Sequence, residues 1–342
     1  MRVFYNSTTT NFGDYINAWL WPRLVPDLLE VTDDNVLVGI GSLLKADLNR
    51  VPGKKVIFGT GSGYGNPPTA KATENWKVYA TRGPLTNRLF GLDPSLAITD
   101  GAWLISQLPE YQTLPEKTDD VVFIPHFTSA KFGNWEPVTE AAGLKYIDPL
   151  DDGPSILRRI AQAKLAVVES LHGAIFADYF RTPWVATSSA TRVLHFKWVD
   201  WCMSLDMDYR STALPPSDLV DFLIQKRRPS LVPPVPQVEH FNADMFHYRH
   251  VDKAVSATAS YRMKTRLKAI ARRQKNAALD QLRTYRDGPL MRGWNKKYTP
   301  LVAEYLAGLA QQEGSLSSDA IRETRIQQLA EAFDQFKRDY QL

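Results

Sequence analysis

Cysteine is almost absent: Cys202 is the only one in 342 residues. No disulfide can form within the chain and no cysteine-rich metal site can be assembled. Trp201-Cys202-Met203 reads as a small buried hydrophobe in an apolar run. No stretch of about 18 uninterrupted apolar residues occurs, which excludes an apolar membrane-spanning helix. No leader pattern precedes the first apolar segment, so the cytosol is the expected compartment. The net charge is only +4, too small a surplus to imply a nucleic-acid partner. No His-x-x-x-His or paired-carboxylate motif stands out. His247 and His250 have helical spacing but no acidic companions, so no metal is expected. There is neither a Walker loop nor a G-x-G-x-x-G fingerprint ahead of a helix.

What is present is an ordinary globular balance, 44% apolar and 23% charged, at a length that suggests two domains of about 150 residues each. Such domains can bury cores of their own. Short apolar runs end in turn residues at Val36–Gly41, Lys55–Gly61 and Trp76–Thr81, with helical patterns at 13–25 and 83–90. These read as strands buried on both faces, alternating with helices, which is the pattern of a doubly wound parallel sheet. A segment rich in Pro, Glu, Thr and Asp, 107–120, reads as a linker. The alternation then restarts with strands at Val121–Pro125, Leu144–Pro149 and Leu165–Glu169, helices at Pro154–Ala163 and Gly173–Phe180, and a last strand at Pro183–Ala186. The expected organisation is α/β: a Rossmann-like domain at 1–110, a second at 119–227, and a linker plus helical, partly basic extension at 228–342. In the extension Ile326, Leu329, Phe333, Phe336 and Tyr340 recur on one helical face.

The sharpest local feature is Glu169-Ser170-Leu171-His172-Gly173, where a buried strand turns into a helix. Polar groups at the carboxyl end of a parallel strand sit where open sheets bind ligands, and the helix start favours an anion. His172 can donate to a phosphate, transfer a proton near neutral pH, or serve structurally. Glu169 can orient the imidazole, act as a base, or cap the helix. Gly59-Thr60-Gly61-Ser62-Gly63 lets backbone approach a ligand closely, as does Gly39-Ile40-Gly41-Ser42. Asn11-Phe12-Gly13-Asp14 follows the first strand, and Asp14 is either functional or a helix cap. Arg82, in Thr81-Arg82-Gly83-Pro84, brings a planar fork suited to carboxylate or phosphate. Asp100 and His126 stand at further strand ends, and Arg192 and Lys197 add cations beyond the second sheet. Together they describe a cationic crevice between the domains.

The set Asn11-Phe12-Gly13-Asp14, Gly39-Ile40-Gly41-Ser42-Leu43, Gly59-Thr60-Gly61, Arg82-Gly83-Pro84, Asp100-Gly101-Ala102 and Ser170-Leu171-His172-Gly173 resembles the polysaccharide pyruvyl transferase family, in order and spacing, over about residues 1–225. It is most similar to the branch acting on exopolysaccharides of the succinoglycan type. The resemblance implies two Rossmann-like domains arranged as in GT-B glycosyltransferases, phosphoenolpyruvate as co-substrate with no other cofactor, and a saccharide acceptor, usually lipid-linked. It implies a cyclic pyruvate ketal as product. His172 matches the family's essential histidine and Arg82 its donor-binding arginine. Where some members carry a second arginine, this chain has Ser170, so Lys197 or Arg192 is expected to supply that cation. The donor-site set is then Arg82, Ser170, Leu171, Gly173, Lys197, Arg192, Gly61 and Ser62. Glu169 or Asp14 is the candidate base, and Asn11, Asp100 and His126 face the acceptor.

Residues 253–286 hold ten Lys/Arg and one acid, Asp280. A basic helix with a thin apolar face suits an anionic membrane surface, or a solvated or oligomer-forming helix. The rival functions are a nucleotide-sugar glycosyltransferase of the same fold and a non-catalytic glycan- or anion-binding subunit.

Overall fold

The structure is a computed structural model. It describes all residues except 8–9, 32, 64–72, 190–192, 225–236, 247–262, 264–276, 278–280 and 282–283. Arg192 and most of the basic segment 253–286 lie outside the described residues.

The first sheet has four parallel strands in sequence order: β1 (Arg2–Phe4), β2 (Val36–Val38), β3 (Lys55–Thr60) and β4 (Trp76–Thr81). Every residue of β2 and β3 is buried, as expected of parallel strands covered on both faces. Helix α1 (Phe12–Leu24) follows β1 and α2 (Pro84–Phe90) follows β4. Pro84 opens α2, where a missing N–H is tolerated, and Gly91 ends it in the left-handed region at φ 62°.

The second sheet has six strands: β5 (Val121–Ile124), β6 (Lys145–Tyr146), β7 (Leu165–Val168), β8 (Trp184–Ser188), β9 (Tyr209–Ala213) and β10 (Val238–Phe241). Their order is β10-β9-β8-β7-β5-β6, parallel except for β10 against β9. From β5 the chain goes to one side for β6 and to the other for β7. The topological switch therefore falls between β5 and β7, and ligands of open α/β sheets bind beyond the carboxyl ends at that point. Helices α3 (Phe127–Phe132), α4 (Trp135–Ala141), α5 (Gly153–Gln162), α6 (Leu171–Tyr179), α7 (His195–Ser204) and α8 (Leu219–Ile224) lie between or after these strands.

Two differences from the sequence reading bear on the second sheet and the site. The series does not close at Ala186: β9 and β10 extend the sheet. Tyr-Arg-Ser-Thr-Ala is too polar to announce a buried strand, and β10 is an exposed edge strand that follows a proline-rich stretch. Helix α6 begins at Leu171, two residues before the expected start, which puts His172 within its first turn.

The apolar core does not divide cleanly between the sheets. One cluster runs from Trp21 and Phe58 through Trp103 to Phe176 and Trp201. Trp103, in a buried 3-10 turn (Gly101–Gln107), donates its Nε1–H to the Ile175 carbonyl of α6 at 2.9 Å. Helix α9 (Pro289–Leu309) lays Tyr298, Val302 and Leu306 against the cluster that holds Phe123 and Val167 of the second sheet. Helix α10 (Asp319–Tyr340) instead reaches the first sheet. Its Phe333 and Phe336 pack edge-on and tilted against Trp21 and Phe58, and Phe336 also meets Tyr79. No helix among the described residues is long and apolar enough to cross a membrane.

Candidate active site

The carboxyl ends of both sheets border one cleft of about 560 Å³. The first sheet contributes Asn6, Asn11 and Asp14 after β1, Ser42, Leu43 and Lys45 after β2, and Arg82 after β4. The second contributes His126, Phe127 and Thr128 after β5, Ser170, Leu171 and His172 after β7, and Val193, Leu194 and Lys197 near the start of α7. Of the residues proposed from sequence, Asn11, Asp14, Arg82, His126, Ser170, Leu171, His172 and Lys197 converge here.

His172 lies in the first turn of α6, whose leading N–H groups have no partner within the helix. Ser170 precedes it without a side-chain capping bond. The imidazole is edged by Phe12 and Phe176, at 6.5 and 6.4 Å between ring centroids. Its Nδ1 rests on Gly13, where a Cβ would stand 2.0 Å away; this is why the turn needs glycine. Its Nε2 is buried without a hydrogen-bond partner, 3.9 Å from Asp100 Oδ1. Burial, reinforced by the charges of Lys197 and Arg82, lowers the imidazole to about 3, so the ring is neutral at physiological pH.

Lys197 faces this ring across the cleft. Burial and then Arg82 hold its ammonium down to about 8, against the opposing pull of Asp14, Asp100 and Glu169. Asp14 accepts from Asn6 Nδ2 at 3.2 Å and Asn11 Nδ2 at 3.4 Å. Burial raises its carboxyl despite these bonds. His126 caps its own helix through Nδ1, 2.7 Å from Thr128 Oγ1.

Arg82 forms part of the cleft wall, yet its guanidinium is fully buried and heavily engaged. Nε and one terminal nitrogen both lie 3.1 Å from Asp200 Oδ2 in α7, and the other terminal nitrogen donates to Ser42 Oγ at 3.0 Å. The Ser62 carbonyl accepts from the terminal nitrogen that faces Asp200. Gly61 leaves room for the guanidinium, since a Cβ there would sit 2.5 Å from Cζ.

Several expectations are corrected by this geometry. Gly61 and Ser62 seat Arg82 and do not line the cleft. Gly173 packs against Val168 and Ile124, where α6 crosses the sheet. Glu169 is buried below the cleft: one oxygen accepts from His126 N at 2.9 Å, the other from Ser189 N and Oγ at 2.6 and 2.8 Å. It ties the β5 and β8 loops together, so Asp14 is the carboxylate left inside the cleft. Asp100 caps the 3-10 turn through Ala102 N at 3.0 Å and stands behind His172, without exposure and outside the lining of the cleft.

Sequence reasoning passed over Lys45, Thr128 and Asp200. Lys45 was within reach, because it follows the Gly39–Ser42 strand-end turn. Asp200 also carried a signal: one acid inside the apolar run Trp198-Val199-Asp200-Trp201 requires a buried partner.

Cations from two sheets around an imidazole at a switch point define an α/β enzyme site built for a compact anion. The family model "Polysaccharide pyruvyl transferase" matches residues 3–190, and the chain belongs to that family: it is a transferase. It is 40% identical over 229 residues, 67% of this chain and 72% of the relative, to the succinoglycan biosynthesis protein ExoV of Rhizobium meliloti (strain 1021). No solved structure matches the chain.

Proposed function

We propose that the protein transfers the pyruvyl group of phosphoenolpyruvate to a saccharide and closes a cyclic ketal, in exopolysaccharide biosynthesis. The observation that carries this reading is the neutral His172 between Lys197, Lys45 and Arg82 at the mouth of α6. The donor concentrates nearly three negative charges in a few ångströms. At 4 Å and an effective dielectric near 20 each opposite-charge pair is worth about 4 kcal/mol. Lys197 and Lys45 meet the phosphate or carboxylate, and the α6 amides complete the cradle.

A bound trianion reverses the local potential that keeps the imidazole unprotonated, so His172 takes up a proton as the donor arrives. It delivers that proton to the methylene carbon, directly or through the phosphate. One sugar hydroxyl adds to C2, phosphate departs, and a second hydroxyl closes the ring. Of the two hydroxyl protons, one makes good the proton His172 gave to the methyl carbon and the other leaves with phosphate. Asp14, whose carboxyl is raised by burial, is the base for the attacking hydroxyl.

The same reading gives the two sheets a GT-B-like relationship, with α9 and α10 as the extension. It also gives the enzyme a lipid-linked acceptor, approached from the cytoplasmic side by the basic segment 253–286. Flotation with anionic liposomes tests that last element, and salt-insensitive or absent binding removes it.

The central test is phosphate release from phosphoenolpyruvate with a lipid-linked oligosaccharide, with mass spectrometry of the product. His172→Ala should lose about 10²–10⁴-fold in turnover while remaining folded. Release near the normal rate in that variant refutes the assignment. A thermal shift with nucleotide sugars but not with phosphoenolpyruvate favours the glycosyltransferase instead.

A further inference from the structure

We propose that Asp100 is the positioning residue for His172: its carboxylate takes the Nε2–H of the imidazole during turnover, which leaves Nδ1 as the nitrogen that exchanges a proton with substrate. This rests on His172 being the proton-transferring group.

Both halves of the pair are polar atoms buried without partners. Asp100 Oδ2 and His172 Nε2 each lack a hydrogen bond, a condition that native interiors rarely keep. The gap from Nε2 to Asp100 Oδ1 is 3.9 Å, so an approach of about 1 Å makes a hydrogen bond. Such bonds are often long in an empty site and shorten when it fills.

The carboxyl is held in place for this. Oδ1 accepts from Ala102 N at 3.0 Å and so fixes the group at the head of the 3-10 turn. That turn is wedged against β3, because a Cβ on Gly59 would lie 2.2 Å from Gly101 Cα. Trp103 of the same turn is bonded to α6, the helix that carries His172. Asp100 and His172 therefore stand on two elements tied together by the Trp103–Ile175 bond, which keeps them within about 1 Å of hydrogen-bond distance. The charged groups around the pair are Asp14 from α1, Arg82 after β4 with Asp200 behind it, and Lys197 from α7. His126 and Lys45 line the same cleft. Burial, partly offset by Arg82, raises Asp100 to about 7. Below that pH the empty site keeps a proton on the carboxyl, and the pair can place a negative charge beside the ring once the imidazolium forms.

The test combines kinetics with nitrogen NMR of histidine-labelled full-length protein, the His172 signal being assigned from His172→Gln. Asp100→Asn keeps an oxygen for Ala102 N but removes the carboxylate. Asp100→Ser keeps a short cap and does not reach the ring. Both should lower kcat roughly 100-fold with donor KM changed by less than about twofold. The ionisation near pH 7 should vanish from the kcat/KM profile, which reports the substrate-free enzyme, and the substrate-free nitrogen signals should show a changed tautomer balance at His172. Nitrogen signals that titrate as in wild type, or either variant turning over normally, overturn the proposal. If wild-type protein releases no phosphate from phosphoenolpyruvate, the donor assignment falls. The spectra of the substrate-free protein still decide between a coupled and an uncoupled Asp100.

Discussion

Asp200 of α7 and Arg82 of the β4–α2 turn form an ion pair with essentially no exposure, 3.1 Å apart. The carboxylate also accepts from Thr86 N at 2.9 Å and Thr86 Oγ1 at 2.6 Å. One side chain of the second sheet's periphery thereby satisfies a cation and a helix start belonging to the first. Removing it leaves the guanidinium buried without an anion, and such losses cost about 3–5 kcal/mol. Asp200→Ala should lose that much in urea unfolding, whereas Asp200→Asn, which can still accept from Thr86, should lose less. A cost under about 1 kcal/mol for the alanine variant, the range of an exposed pair, contradicts this account.

Gly13 offers a way to disturb chemistry without disturbing the fold. Alanine is the better helix former by about 1 kcal/mol, so Gly13→Ala should not unfold α1. Its methyl group, however, occupies space 2.0 Å from His172 Nδ1 and must push the ring aside. Displacements near 1 Å cost about 100-fold in rate. Turnover should fall by that order while circular dichroism stays near wild type and stability drops by about 1–3 kcal/mol, the cost of overpacking a buried site.

The pH dependence of stability separates the two members of the Asp100–His172 pair. His172 falls from 6.5 to about 3 on folding. Between those values the unfolded chain binds the extra proton, so stability drops as the pH is lowered. Asp100 rises from 3.8 to about 7. Over that window the folded protein binds the extra proton, so stability drops as the pH is raised. From about pH 4 to 6.5 the two effects oppose each other and the pair holds one proton in either state. Asp100→Asn leaves the histidine uncompensated. Its stability should decline by about 1.4 kcal/mol per pH unit relative to wild type on going from pH 6.5 to 4.5. Parallel stability curves for the two proteins would dismiss the raised carboxyl of Asp100.

The sequence already carried the strands β2, β3, β4, β5, β7 and β8, because parallel strands buried on both faces are continuous apolar runs. It carried His172, Asp14 and Lys197 as cleft residues, because loops after such strands gather at one edge. It did not reveal β9 and β10, whose residues are polar or lie at the edge. Nor did it separate Glu169 and Asp100 from the cleft. Both are acids after buried segments, as a catalytic carboxylate is. Only the hydrogen bonds of Glu169 to His126 and Ser189, and the burial of Asp100 behind the imidazole, distinguish them. That distinction depends on contacts from distant parts of the chain.

Helix α10 joins the last part of the chain to the first. Phe336 is fully buried against Trp21, Phe58 and Tyr79, and Tyr79 donates its hydroxyl hydrogen to Asp339 at 2.6 Å. Phe336→Ala should cost about 3–5 kcal/mol, measured by denaturant titration. It should do so although the residue is remote from the cleft.

The same contact sets an order of events during synthesis. Trp21, Phe58 and Tyr79 emerge roughly 250 residues before the aromatic face of α10 that covers them. At about 5–20 residues per second the nascent first sheet waits on the order of tens of seconds with an uncovered aromatic patch, a natural station for a chaperone.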